Sequence, residues 1–171
     1  AGTNILRKVE SNESYILMKL NKNGNQTILG KYFYECPDEI IINEIKVSNN
    51  PCKSIILDNT NYLIKLVWKN ELNNTSNMFK DLNSIKEIDL SNFNASLVNN
   101  MNSMFYNCSQ LTSINFVNIN TSKVTDLEKM FYDCILDVLD LSYFDTTSVT
   151  TMAYMFYNCS KLTSLNISKF I

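Results

Sequence analysis

The apolar residues of the C-terminal hundred positions return on a fixed period. The pair Met-Phe stands at Met78-Phe79, Met104-Phe105, Met130-Phe131 and Met155-Phe156, at spacings of 26, 26 and 25 residues. A cysteine follows four residues after the methionine in three copies, Cys108, Cys134 and Cys159, and Leu82 takes that place in the first. An apolar triplet comes next: Ile85/Ile88/Leu90, Leu111/Ile114/Phe116, Leu136/Leu139/Leu141 and Leu162/Leu165/Ile167. Then come Phe93, Ile119, Phe144 and Phe170, followed by Val98, Val124 and Val149 and by Met101, Leu127 and Met152. The third copy is one residue shorter between Cys134 and Leu136, which accounts for the spacing of 25. Self-similarity at such a period is the signature of a repeat architecture.

Within each unit the period switches. Ile88-Asp89-Leu90 alternates like a strand buried on one face. Val98, Met101, Met104 and Phe105 are spaced three, three and one, which predicts one apolar face of a short helix. Ser96, Ser122 and Ser148 or Thr147 stand just before it, where an N-cap belongs. The expected unit is a strand, a turn, a short helix and a turn. One unit cannot bury its apolar face alone, so the units are expected to stack into an α/β solenoid of about four repeats over residues 71–171. Its strands would lie parallel, with right-handed connections.

Residues 1–70 do not repeat and read as a small all-β module. Predicted strands are 14–20, 27–34, 39–47, 53–57 and 61–68, with Asn23-Gly24 as a hairpin turn between the first two. The expected role of this module is to cap the first repeat, whose open strand edge would otherwise invite pairing.

Composition narrows the chemistry. There is no histidine, which removes Ser-His-Asp and Cys-His catalysis and two-His metal sites. With three glycines, at 2, 24 and 30, no dinucleotide-binding glycine motif can be built. The net charge of -2, without a basic stripe, argues against nucleic acid, and no apolar run approaches the ~20 residues of a membrane span. No catalytic residue, cofactor or metal is expected, and the chain is not expected to be an enzyme. Asparagine is in excess, at 26 residues beside 17 Ser and 12 Thr.

The run Met104-Phe105-Tyr106-Asn107-Cys108-Ser109-Gln110-Leu111-Thr112-Ser113-Ile114, repeated closely from Met155 to Leu165, resembles the BspA-like leucine-rich repeat. The resemblance covers roughly residues 72–171. It implies an α/β leucine-rich-repeat solenoid, a cell-surface or secreted setting, and adhesion or protein binding to a protein or glycan on another cell or matrix. It implies no catalytic residues.

Four sets of residues are candidates for sites. Cys108, Cys134 and Cys159 read as small buried ladder residues, with a disulfide or metal site as the rival. Cys36 and Cys52, outside the repeats, read as a disulfide in an oxidising compartment or as two unpaired core cysteines. Asn-x-Ser/Thr sequons begin at nine positions, and Asn94, Asn107, Asn120, Asn158, Asn25 and Asn73 are the glycosylation candidates. The sequons fit a secreted glycoprotein, or a genome rich in asparagine codons. Glu87, Asp89, Asn115 and Asp140 would project from the concave strand face, as partner contacts or as a solvated surface.

Ala1-Gly2-Thr3 fits a mature terminus after signal cleavage, or a tag remnant. Phe170-Ile171 falls inside a fifth unit with no polar cap. Either the protein continues, or another copy covers that end. The latter would make the chain a protomer of a glycosylated extracellular filament assembled head-to-tail.

Overall fold

The computed structural model describes residues 13–48, 51–58 and 61–171. The expectations at Ala1-Gly2-Thr3 and at the Asn12 sequon lie outside the described residues.

The alternation Ile16, Met18, Leu20 produces β1 (Ser14–Leu20), whose inward side chains are buried while Tyr15, Leu17 and Lys19 face out. It pairs antiparallel along its whole length with β6 (Tyr62–Trp68). Between them in sequence lie β2 (Gly24–Thr27), β3 (Glu39–Ile42), β4 (Ile45–Lys46) and β5 (Ser54–Leu57). Three local expectations change. Asn23-Gly24 does not close a hairpin, because β1 pairs with β6 and β7 while β2 pairs with β5. Residues 28–34 form no strand. The expected strand 39–47 is a hairpin, because Asn43 and Glu44 both adopt positive φ, 46° and 70°, as a tight two-residue turn requires.

The repeats supply β7 (Ile85–Asp89), β8 (Ser113–Asn115), β9 (Val138–Asp140) and β10 (Ser164–Asn166). One sheet runs β4-β3-β6-β1-β7-β8, so β1 covers the free edge of the first repeat strand directly. β9 and β10 form a separate parallel pair, and β2 and β5 a third sheet. At Gly30 the module meets the first repeat so closely that a Cβ would fall 2.0 Å from the Asn77 carbonyl oxygen; the Gly30 N–H donates to Met78 O at 2.7 Å.

Among the described residues none is helical. The expected α/β leucine-rich-repeat solenoid is therefore overturned: the fold is all-β, and no solenoid closes. The backbone hydrogen bonds give the reason. The N–H groups of Met101, Ser103, Phe105 and Asn107 donate to Asp126, Glu128, Met130 and Tyr132 of the next repeat. The intervening Met104, Tyr106 and Cys108 donate only three residues back. Ser103 and Asn107 adopt positive φ, 55° each, which no helix tolerates. Consecutive tight turns thus produce the spacing of three that a helix would also produce. The residues expected as N-caps have no helix to cap; Ser96 N and Ser122 N instead donate to the Asn94 and Asn120 side chains, and Thr147 N to Asp145.

Equivalent residues stack between repeats. Phe79, Phe105, Phe131 and Phe156 lie face to face, with centroids 5.6, 5.6 and 5.8 Å apart. Phe79, Phe105 and Phe131 are fully buried, and offset stacking adds about 0.5–1.5 kcal/mol per pair beyond area burial. Phe105→Ala, which breaks two stacked pairs, is expected to lower unfolding free energy by about 3–5 kcal/mol. Denaturant titration checks this, with a lowered midpoint at unchanged slope as the expected outcome.

Candidate binding surface

The outward face of the six-stranded sheet is open. Cross-strand register sets Leu63, Lys19, Glu87 and Ser113 in one row and Lys65, Leu17, Asp89 and Asn115 in the next. Where β1, β7 and β8 adjoin, these rows form a groove of about 220 Å³ lined by Leu17, Lys19, Leu63, Glu87, Asp89 and Asn115 among others. Its lining includes two leucines, half-buried Leu17 and exposed Leu63. At its rim Lys19 is ion-paired with Glu87, both half exposed, a pair worth at most about 1 kcal/mol. Beside it Lys65 lies 4.1 Å from the Tyr15 ring centroid and 3.7 Å from Glu13. Partial burial, with Asp89 and Glu13 nearby, holds the Tyr15 hydroxyl above its ordinary pKa.

Three of the four strand-face candidates, Glu87, Asp89 and Asn115, therefore come together on one groove. Asp140 does not, because it lies on β9, outside the main sheet. The carboxylate of Asp89 accepts from Ser91 N at 2.8 Å and from Asn115 Nδ2 at 3.1 Å. Asp140 closes the equivalent turn by accepting from Ser142 N at 2.9 Å, and its hydrogen bonds from Ser142 hold its carboxyl below the usual range. Both carboxylates thus close local turns.

The structure joins Cys36 and Cys52 in a disulfide, with Cα atoms 5.1 Å apart. Cys108, Cys134 and Cys159 are free thiols, and each Sγ lies 3.0 Å from a carbonyl oxygen of the preceding repeat: Phe79, Phe105 and Phe131. Among the described residues no group of three or more His, Cys, Asp or Glu could hold a metal ion.

Of the candidate sequons, Asn25 lies on a strand and the others lie outside the strands. Asn94 and Asn120 each accept from the backbone N–H two residues on, at 3.0 and 3.1 Å. Asn107 and Asn158 occupy positive-φ positions and donate to Asp81 and Asp133, at 2.9 and 2.6 Å. Asn25 is exposed on β2, and Asn73 is exposed with its carbonyl accepting from Asn99 N.

One surface was not anticipated from the sequence. Tyr106, Tyr132 and Tyr157 form an outer column with centroids 4.7 Å apart, and Lys80 caps it 4.4 Å from the Tyr106 centroid. The signal was available: these residues directly follow the four Met-Phe pairs. Assigning that stretch to a helix hid the shared column.

Residues 70–170, more than half of the chain, match a family model described as "Mycoplasma protein of unknown function, DUF285". No curated protein and no solved structure matches. The resemblance to BspA-like leucine-rich repeats is thereby corrected: the match is to this other family, and the repeats contain no helix and build no solenoid.

Burial pushes the Cys134 thiol up to about 12, and raises Cys108 and Cys159 as well. At pH 8, iodoacetamide is expected to leave native Cys108 and Cys134 unmodified and to reach partly buried Cys159 slowly; all three react once the chain unfolds. The mass of the alkylated protein reads this directly. Because the folded thiols hold their protons more tightly than unfolded ones, their stabilising contribution is complete below the unfolded value of about 8.5. It declines as pH rises from there toward 12.

Proposed function

Since the chain belongs to the DUF285 family, whose description assigns no activity, we propose from the geometry that it is a non-catalytic binding module of a secreted or cell-surface protein. Its partner contact is the groove across β1, β7 and β8. The observation that carries this reading is the make-up of that groove: leucines in its lining, a half-exposed ion pair and fixed amide and carboxylate groups at its rim. Apolar contact with a few oriented polar groups is the composition of a recognition surface. The Cys36–Cys52 disulfide supports an oxidising setting, because such bonds persist outside the reducing cytosol. Among the described residues no helix is long and apolar enough to cross a membrane. The partner fitting this groove is a protein or glycan on another cell or matrix.

Leu63→Asp and Glu87→Lys test the reading, since both side chains are partly exposed and alter the groove without emptying the core. Fluorescently labelled protein is titrated onto intact cells and onto isolated extracellular matrix. Each substitution is expected to weaken binding about tenfold, equivalent to about 1.4 kcal/mol. Undiminished binding by both variants, or saturable turnover of a substrate by the native protein, would remove the proposal.

A further inference from the structure

The second and third repeats are joined differently from the other pairs. Between the first and second, Thr112 N donates to Lys86 O and Leu90 N to Asn115 O, each at 2.9 Å. Between the third and fourth, Thr163 N to Asp137 O and Leu141 N to Asn166 O repeat the arrangement, each at 2.9 Å. Between the second and third, β8 and β9 do not pair, and the sheet ends there. Phe116 stands where Leu90 and Leu141 stand, yet it makes no equivalent bond to the third repeat. Elsewhere the same joint is whole. Four backbone bonds from Met101, Ser103, Phe105 and Asn107 cross it, Asn100 bridges Asp126, and the Phe105/Phe131 and Tyr106/Tyr132 rings stack across it.

The sequence differs at the same joint. Cys134-Ile135-Leu136 spans in the third repeat what Cys108-Ser109-Gln110-Leu111 and Cys159-Ser160-Lys161-Leu162 span in its neighbours. The turn leading into β9 is one residue short. A larger side chain occupies the core behind the gap. Phe116 contacts Phe105, Phe131 and Phe144 edge-on, with centroids 6.1, 6.2 and 5.0 Å away, where the other repeats carry Leu90, Leu141 and Ile167.

We propose that this joint is a built-in hinge, set by the shortened turn before β9. The N-terminal sheet with the first two repeats forms one body, and the last two repeats form the other. They rock about the continuous Asn100–Asp126 and Phe105–Phe131 lines and open on the strand side, with Phe116 as the prop. Hinge motion concentrates where few bonds must be broken. β8 forms both the last wall of the groove and the lip of the hinge, so opening widens the ground available beside that wall. The hinge stands on the repeat geometry alone and does not depend on the groove having a partner.

Residue-resolved hydrogen exchange on the full chain tests it. The Phe116 amide is expected to exchange about tenfold or more faster than the amides of Leu90 and Leu141, its counterparts at the intact joints. Equal protection of the three would overturn the hinge. A second variant inserts one serine after Ile135, restoring the length of the neighbouring turns. Phe116 protection is expected to rise to the level of Leu90; protection unchanged from the native chain would overturn the shortened turn as the cause. Should the insertion fail to fold, the comparison of the three native amides decides alone.

Discussion

The fold depends on where alternate backbone N–H groups are sent. In residues 101–107 every second donor crosses to the next repeat, while the donors between close tight turns within their own repeat. A buried backbone donor must find a partner somewhere. Here half of them find it one strand spacing away, in a chain segment 25 residues further on. The same handover recurs from the first repeat to the second and from the third to the fourth. It fixes the register in which equivalent side chains meet, so the phenylalanine, cysteine and tyrosine columns are its consequences. It also places the polar columns: Asn74, Asn100, Asp126 and Thr151 bridge one another in sequence.

Much of this was legible in the chain, and the failure was local. Strict alternation in 14–20 and 62–68 gave strands because a half-buried sheet face allows little else. The repeat period and its apolar members were legible because each recurs at a buried position, as Met104, Phe105, Cys108 and Leu111 do. The helix expectation failed because apolar spacings of three, three and one suit consecutive β-turns as well as a helical face. The feature that separates them is positive φ at Asn77, Ser103, Lys129 and Tyr154 and again at Asp81, Asn107, Asp133 and Asn158. Only the second set is uniformly Asn or Asp, the types that enter that region readily. In the first set Lys129 and Tyr154 are held there by the stack, a tertiary effect that residue type does not announce. The groove was half legible for a related reason. Glu87, Asp89 and Asn115 could be placed on a strand face by counting, but Leu17, Lys19 and Leu63 come from a module whose pairing with β7 carries no repeat signal.

The asparagine excess acquires a physical cause. With glycine at only three positions, the corners of each repeat must be turned by other means. Asn and Asp side chains bend the chain by accepting from the N–H two residues on. They do so at Asn74, Asn100 and Asp126, at Asp89, Asn115, Asp140 and Asn166, and at Asn94, Asn120 and Asp145. That geometry has the spacing of a sequon. Where the residue two positions on is serine, as at Ser76, Ser96, Ser122 and Ser168, the turn is also an Asn-x-Ser sequence.

Four of the nine sequons, at Asn74, Asn94, Asn120 and Asn166, thus coincide with turns of this kind. The same accounting covers the strand-face carboxylates. The strand-face carboxylates of Asp89 and Asp140 each close a turn, and Glu87 holds Lys19. These groups are anchored by the bonds that shape the chain. What remains available on the groove is shape, two leucines and a set of fixed polar atoms. The register that stacks the repeats is what holds these groups in place on the groove.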